Sequence, residues 1–207
     1  MIFILEQEIG NSKAIIRMLR KLAIPFTTNI NFLIDMKEIK GIILPGNGSF
    51  DSFMESCRAY PEFENSLTKL VIDKSVPVLG ICVGMQALFN ESEEGLLQGF
   101  GFVPGKIKKF RSDVRVPHVG WKKADYKSSF KNNAILVSDK YFFSHSFAYF
   151  YENPSLFDEL LISDYKQNFV AAFRINNIIG AQFHPEKSSS AGFVLMQNFW
   201  RLCKHGS

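Results

Sequence analysis

The stretch "SVPVLGICVGMQALF", residues 75–89, places a cysteine between two glycines where an apolar run gives way to a helical pattern. Such a run predicts a buried strand, and the residues after it predict the start of a helix. A side chain on so sharp a turn is held above the sheet edge, and the turn can form only if the neighbouring residues are small. The N-terminus of the following helix favours the thiolate form of a cysteine at this position. Gly80 and Gly84 meet that need, so Cys82 is predicted to be a nucleophile; a buried core cysteine is the alternative for this stretch alone.

Short apolar runs alternate with longer amphipathic segments through the first ninety residues. Strands are predicted at 2–5, 41–45 and 76–81, and helices at 11–22, at 50–74 with a break near Pro61, and from "MQALF" onward. From about residue 102 to 180, further strands are predicted at "FVPGKIKKF", "AILVSD", "YFFSHSFAYF", "FVAAFRI" and "IIGAQF". This order predicts an α/β fold with a mainly parallel central sheet flanked by helices and additional strands in the second half. We expect a single domain over residues 1–207.

Composition excludes several classes of protein. The 207 residues are 46% hydrophobic and carry a net charge of +4, which is too weakly basic to predict nucleic-acid binding. Three cysteines without a close pair, and four histidines without ligand spacing, predict neither disulfides nor a metal, and no cofactor is expected. The absence of an 18-residue apolar stretch and of a basic leader predicts a cytoplasmic protein without membrane contact.

A base for the cysteine is available a hundred residues further on. "IIGAQFHPEKS", residues 178–188, ends a predicted strand with His184, followed at once by Pro185 and Glu186. A histidine at the carboxyl end of a strand points into the crevice where α/β sheets bind ligands. Glu186 can fix the imidazole tautomer and stabilise the imidazolium, as the third member of a triad does. Taken alone, a His-Pro-Glu segment in a loop is more often an ordinary surface turn.

A second backbone donor follows another predicted strand. In "ILPGNGSF", residues 43–50, the N–H groups of Asn47 and Gly48 can turn toward a substrate carbonyl. The three stretches together, "PGNGSF", "GICVGMQALF" and "QFHPEKS", resemble in content and order the class I, or triad, glutamine amidotransferases, and the resemblance covers most of the chain.

The resemblance implies an enzyme in which the cysteine attacks the side-chain amide of glutamine and forms a glutamyl thioester. It implies Cys82 as nucleophile, His184 as base and then acid, and Glu186 as the residue that orients His184. The remaining roles that it implies are an oxyanion hole from the backbone of Val83 and of Asn47–Gly48, and contacts to the substrate glutamine from Gln86, Ser146 and Phe147.

The segment "VPHVGW", residues 116–121, is similar to a signature of the glutaminase subunit of imidazole glycerol phosphate synthase. This similarity implies a heterodimer in which ammonia passes to a cyclase subunit in histidine biosynthesis. It also implies that His118 and Trp121 lie near the interface and that Lys187 meets the cyclase at the mouth of the ammonia tunnel.

Four features depart from that subunit's usual pattern: "EQEIGN" at 6–11, Asn47, Lys122 and Phe147. They leave open a paralogous glutaminase subunit that feeds a cell-surface sugar-modifying amidotransferase. The motifs are also compatible with a free-standing hydrolase of γ-glutamyl compounds and with a non-catalytic scaffold subunit. The basic run "GKIKKFRSDVR", residues 105–115, predicts a strand with one solvated face, or a surface that complements an acidic partner.

Overall fold

The computed structural model describes residues 1–6, 12–36, 38–127, 134–150 and 154–205, so most of the "EQEIGN" stretch lies outside the described residues. The α-helices are α1 (Ser12–Lys21), α2 (Ile30–Ile34), α3 (Phe50–Arg58), α4 (Phe63–Thr68), α5 (Val83–Gln86) and α6 (Ser189–His205). The strands are β1 (Ile2–Ile4), β2 (Phe26–Thr27), β3 (Gly41–Gly46), β4 (Val78–Cys82), β5 (Phe89–Ser92), β6 (Val103–Lys109), β7 (His118–Tyr126), β8 (Asp139–His145), β9 (Phe147–Ala148), β10 (Glu159–Asp164), β11 (Asn168–Ile175) and β12 (Ile178–Ala181).

One nine-stranded sheet forms the centre of the molecule, in the order β2-β1-β3-β4-β12-β11-β10-β7-β8. The pairs from β2 to β12 are parallel, whereas those from β12 to β8 are antiparallel. A smaller sheet has the order β5-β6-β9. The predicted α/β class is therefore confirmed: of the additional strands of the second half, β7, β8, β10, β11 and β12 extend the same sheet, and β6 and β9 belong to the smaller one.

Burial differs between the two halves of the large sheet. Every residue of β1, β3, β4 and β12 is buried, as expected for parallel strands covered on both faces. Strands β7 and β8 mix buried with exposed residues, so part of their surface remains in contact with solvent. Asn47, Cys82 and His184 stand at or just after the ends of β3, β4 and β12, in the fully buried half, where side chains are held by packing. Among the described residues, no helix is long and apolar enough to span a membrane.

Two predicted elements are corrected. The helix expected from "MQALF" is only the four residues of α5, because the carbonyls of Ala87 and Leu88 accept hydrogen bonds from Phe100 and Val103 instead of continuing a helix. The strand expected at "AILVSD" is absent before Asp139 within 134–138. There the backbone N–H groups of residues 135 and 136 donate to the buried carboxylate of Glu159, which removes them from any strand ladder.

Candidate active site

Three adjacent parallel strands bring the three sequence motifs together. Strand β4 lies between β3 and β12, with Gly46 opposite Cys82 and Ala181 opposite Ile81. Parallel neighbours end at the same edge of a sheet, and ligands of open α/β sheets bind at that edge. The loop after β3, the turn after β4 and the segment after β12 consequently meet at one place.

Cys82 occupies the sharp turn that the sequence predicts. Its φ of 53° and ψ of −112° are unfavourable for a residue with a Cβ atom and cost on the order of 1–3 kcal/mol. Helix α5 starts at the next residue, packed directly on β3. A Cβ atom on Gly84 would lie 1.8 Å from the carbonyl oxygen of Leu44, and one on Gly46 would lie 2.1 Å from the backbone nitrogen of Gly84. Only glycine permits this approach, which holds Cys82 in its strained conformation.

His184 and Glu186 form a buried pair beside Cys82. The Nδ1 atom of His184 lies 2.9 Å from Oε1 of Glu186, and the side chains are 3% and 2% exposed. Burial by itself lowers the pKa of His184, but the charge of the Cys82 sulfur, a hydrogen bond to it and the Glu186 carboxylate together raise it to about 10. The imidazole is therefore held as a cation between the sulfur and the carboxylate.

One pocket contains the predicted oxyanion and substrate residues. It is lined by Asn47, Gly48, Cys82, Val83, Gln86, Glu94, Ser144, His145, Ser146 and Phe147. Seven of these ten residues are predicted from the sequence, whereas Glu94, Ser144 and His145 are not. Ser144 and His145 stand in the quoted segment "YFFSHSFAYF", whereas the acidic segment around Glu94 carries no motif that singles it out.

Glu94 connects the pocket to the start of α3. Its Oε2 atom accepts a hydrogen bond from the backbone N–H of Phe50 at 3.0 Å. Burial raises the pKa of this carboxyl group. Ser49 caps the same helix by accepting from the N–H of Ser52 at 3.4 Å, so α3 begins directly after the Asn47–Gly48 loop. The Glu94 carboxylate and the Asn47–Gly48 loop are thus both held at the N-terminus of α3.

Gln182, which the sequence did not single out either, has a side chain that is fully buried between Gln86 and Cys82. Its Oε1 atom accepts from Nε2 of Gln86 at 3.1 Å, and its own Nε2 lies 3.8 Å from the sulfur of Cys82. Gln182 stands two residues before His184, directly after β12, and this spacing was visible in the sequence. The buried Oε1 of Gln86 makes no hydrogen bond with any of the described residues.

The residues predicted to face a partner separate into two groups. Trp121 is 49% exposed, and Phe142 lies edge-on to it while Nζ of the exposed Lys187 stands 5.6 Å from the Phe142 ring centre. We call Val119, Trp121, Phe142 and Lys187 the β7–β8 patch. His118 is different, because its ring turns inward and is 1% exposed. Alternation along β7 exposes residues 119 and 121 and buries residue 118, and the placement of His118 near the partner interface stays a prediction.

Comparison with known proteins agrees with this geometry. The model of the glutamine amidotransferase class-I family matches residues 3–202. The imidazole glycerol phosphate synthase subunit HisH of Leptospira interrogans is 39% identical over 98% of this chain and 100% of its own length. HisH 2 of Methanococcus maripaludis is 38% identical over 96% of this chain and 98% of its own length.

Solved structures share the fold. A crystal structure of a glutamine amidotransferase superposes with a TM-score of 0.73 at 17% identity, covering 98% of both chains. The structure of PurLQS from Thermotoga maritima gives a TM-score of 0.69 at 15% identity, covering 97% of both chains.

Proposed function

Because the chain belongs to the class-I glutamine amidotransferase family, we propose that it is the glutaminase subunit of an imidazole glycerol phosphate synthase. It hydrolyses glutamine to glutamate and ammonia and passes the ammonia to a cyclase subunit. The observation that carries the chemistry is the strained turn at Cys82 beside the buried pair of His184 and Glu186. The relatives that carry the name HisH support the choice of pathway.

The first half-reaction forms the thioester. The thiolate of Cys82 attacks the side-chain carbonyl carbon of glutamine, and the C=O electrons move to the oxygen. Backbone N–H groups of Val83 and of the Asn47–Gly48 loop donate hydrogen bonds to that oxygen. These hydrogen bonds become stronger as negative charge develops on it. His184, already protonated by the environment described above, gives its proton to the departing nitrogen as the C–N bond breaks. Ammonia leaves and a glutamyl thioester remains.

The second half-reaction releases glutamate. His184 is now neutral and accepts a proton from water as the water oxygen attacks the thioester carbonyl. The C–S bond breaks, the thiolate of Cys82 is restored and the histidine is again a cation. Glu186 keeps Nδ1–H of the ring directed toward itself, so that Nε2 faces the reacting atoms.

The polar rim of the pocket accounts for recognition of the rest of glutamine. Glu94 is the one carboxylate among the residues that line the pocket, and it pairs with the α-ammonium group. The buried Oε1 of Gln86 adds an acceptor for the same group. Backbone groups of Ser146 and Phe147 bind the α-carboxylate end. A substrate lacking the amino group would leave the Glu94 carboxylate without its counter-charge and the buried Oε1 of Gln86 without a donor, which favours glutamine over simple amides.

The β7–β8 patch is the surface on which the cyclase subunit docks. It combines a half-exposed tryptophan with a 58% exposed valine, and aromatic side chains are enriched at interface centres. It is also directly linked to the catalytic histidine, because the N–H of His184 donates to the carbonyl of Phe142 at 2.9 Å. Three free cysteines are consistent with the cytoplasm as the compartment.

Labelling with 6-diazo-5-oxonorleucine, an electrophilic analogue of glutamine, tests the chemistry. Cys82 is expected to be modified stoichiometrically, with loss of glutaminase activity. Cys57 and Cys203 serve as controls in the same molecule, because burial raises the pKa of both thiols to about 12. Modification of Cys57 or Cys203 at an equal rate, or full activity in Cys82→Ala, would contradict the assignment.

Glutamate release in the presence of a histidine-pathway cyclase subunit and its nucleotide ligand tests the partner. We expect strong stimulation, and Trp121→Ala is expected to weaken the complex about 30-fold, which corresponds to about 2 kcal/mol at an interface hot spot. Tyr60→Ala removes an aromatic ring that is 41% exposed outside the patch and is the matched control. High activity without any partner would favour a free-standing hydrolase. Labelling of Cys82 without stimulation would move the partner to a sugar-modifying pathway.

A further inference from the structure

Gln182 is the residue directly after β12, the strand beside β4, and it lies at the level of the nucleophile. Since Ala181 pairs with Ile81, the next residues of the two segments are Gln182 and Cys82. The Gln182 side chain is 0% exposed, and its backbone N–H is held by the carbonyl of Ala171 at 2.9 Å. Its amide therefore has no access to water and must satisfy both of its ends within the protein.

The direction of this amide follows from its neighbours. The carbonyl oxygen of Phe147 can only accept, and Nε2 of Gln86 lies 3.1 Å from it, so the Gln86 nitrogen faces that way. The same nitrogen lies 3.1 Å from Oε1 of Gln182 and donates its second hydrogen there. The NH2 group of Gln182 is thereby left facing the sulfur of Cys82 at 3.8 Å. The reversed amide would set two NH2 groups against each other.

A pair of histidines fixes the Phe147 carbonyl, which is the other end of this series of hydrogen bonds. Nδ1 of His145 lies 2.8 Å from the same Phe147 oxygen, so it carries a hydrogen and donates. In the neutral ring Nε2 of His145 is then an acceptor, and Nδ1 of His118 donates to it at 3.2 Å. Burial lowers the pKa of His118 to about 4 and that of His145 to about 3, so both rings are neutral at pH 7. Two donors thus converge on one carbonyl and fix its position.

From this network we infer that Gln182 is a fixed N–H donor to the Cys82 sulfur, held in that direction by Gln86 and the Phe147 carbonyl. The inference deepens the proposed function and rests on it, because it assigns a further residue to the same nucleophile. A donor aimed at an anion is stronger than one aimed at a neutral group, so Gln182 favours the thiolate over the thiol. It also holds the sulfur in place between the pocket and His184.

The test is the pH dependence of alkylation of Cys82 by iodoacetamide, followed by mass spectrometry of the peptide that contains it. Gln182→Met keeps the length of the side chain and removes the donor. We expect the pH of half-maximal alkylation to rise by about one unit, with alkylation at lower pH slowed about tenfold. Gln182→Glu places a carboxylate against the sulfur and is expected to move it further in the same direction. Gln98→Glu, on the surface, is the control for an added charge.

The possible outcomes separate the inference from the function. A midpoint that stays in place or falls in a folded Gln182→Met protein overturns the inference, whereas a wild-type Cys82 that alkylates no faster than Cys57 overturns the proposed function itself. If neither variant folds, an NMR titration of the wild-type protein tests the inference instead. When the glutamine side chains are labelled with 15N, the chemical shift of one slowly exchanging Nε2 group must change at the pH of half-maximal alkylation. Signals from Gln86 and Gln182 that ignore this titration would overturn the inference.

Discussion

The neutral, buried pair of His118 and His145 makes the stability of the fold depend on pH. Both rings lie among aromatic side chains, with His118 stacked on Tyr165 at 4.0 Å between ring centres and His145 5.0 Å from Phe169. Burial lowers their pKa values from 6.5 to about 4 and about 3. The unfolded chain therefore binds more protons than the fold below pH 6.5. Stability is lost as the pH falls through this window.

The size of the loss follows from proton linkage. Each of the two rings costs up to about 1.4 kcal/mol per pH unit, which gives about 1.9 kcal/mol for each ring and about 4 kcal/mol for both between pH 7 and 5. His184 acts in the opposite sense: its pKa is raised to about 10, so its contribution is fully present below 6.5 and declines above that pH. Between pH 7 and 5 the His184 contribution offsets about 1 kcal/mol of the loss from the other two rings. The expected net loss in the free energy of unfolding is therefore about 3 kcal/mol. That is a large part of the stability of a typical domain.

Urea unfolding followed by circular dichroism at pH 7, 6 and 5 measures this loss directly. The matched variant is His145→Asn, because the Asn amide stands where Nδ1 stood and can still donate to the Phe147 carbonyl without titrating. Its loss between pH 7 and 5 is expected to be smaller than that of wild type by about 2 kcal/mol. Carboxylates titrate equally in both proteins and cancel in the comparison. Identical pH dependence in the two proteins, or a wild-type stability that is flat from pH 7 to 5, would refute the reasoning.

Two further predictions concern the pocket and the turn beneath it. Glu94→Gln removes the carboxylate that pairs with the substrate ammonium, so KM for glutamine should rise at least about tenfold with a smaller change in kcat; an unchanged KM in steady-state assays would exclude that role. Gly84→Ala places a Cβ 1.8 Å from a backbone oxygen and should lower the free energy of unfolding by more than about 3 kcal/mol or prevent folding. Gly48→Ala meets no atom within 4 Å and should cost only about 1 kcal/mol through its φ of +91°; equal losses in thermal melts would contradict the packing argument.

The nucleophile and its immediate surroundings could be predicted from the sequence, because the features that define them lie close together along the chain. An apolar run, a cysteine between Gly80 and Gly84, and a helical start lie within a few consecutive residues, so their geometry follows from neighbouring backbone atoms. The same holds for His184 and Glu186, where two residues of spacing suffice for the hydrogen bond seen at 2.9 Å. The family resemblance predicted that the three motifs form one site. The order of the strands places all three at one edge of the sheet.

Prediction failed where the deciding partner is distant in the chain. The helix expected after Gln86 does not form, because backbone N–H groups within residues 100–103 donate to the carbonyls that would continue it. The strand expected at "AILVSD" is replaced by backbone hydrogen bonds to the carboxylate of Glu159. Neither competitor can be recognised from the local pattern. In each case a backbone hydrogen bond to a remote group replaced the local preference.

By itself, the sequence determined the α/β class, the nucleophile candidate and the candidate base, since these depend on period, turn chemistry and short spacing. Only the tertiary structure decided the rest of the pocket: Glu94 at its rim, Gln182 beside the sulfur and His118 inside the core. These side chains acquire their environment from strands and loops tens of residues away. Their burial, hydrogen-bond direction and charge state exist only once the sheet has formed, because each is a property of the assembled neighbours and not of the residue itself.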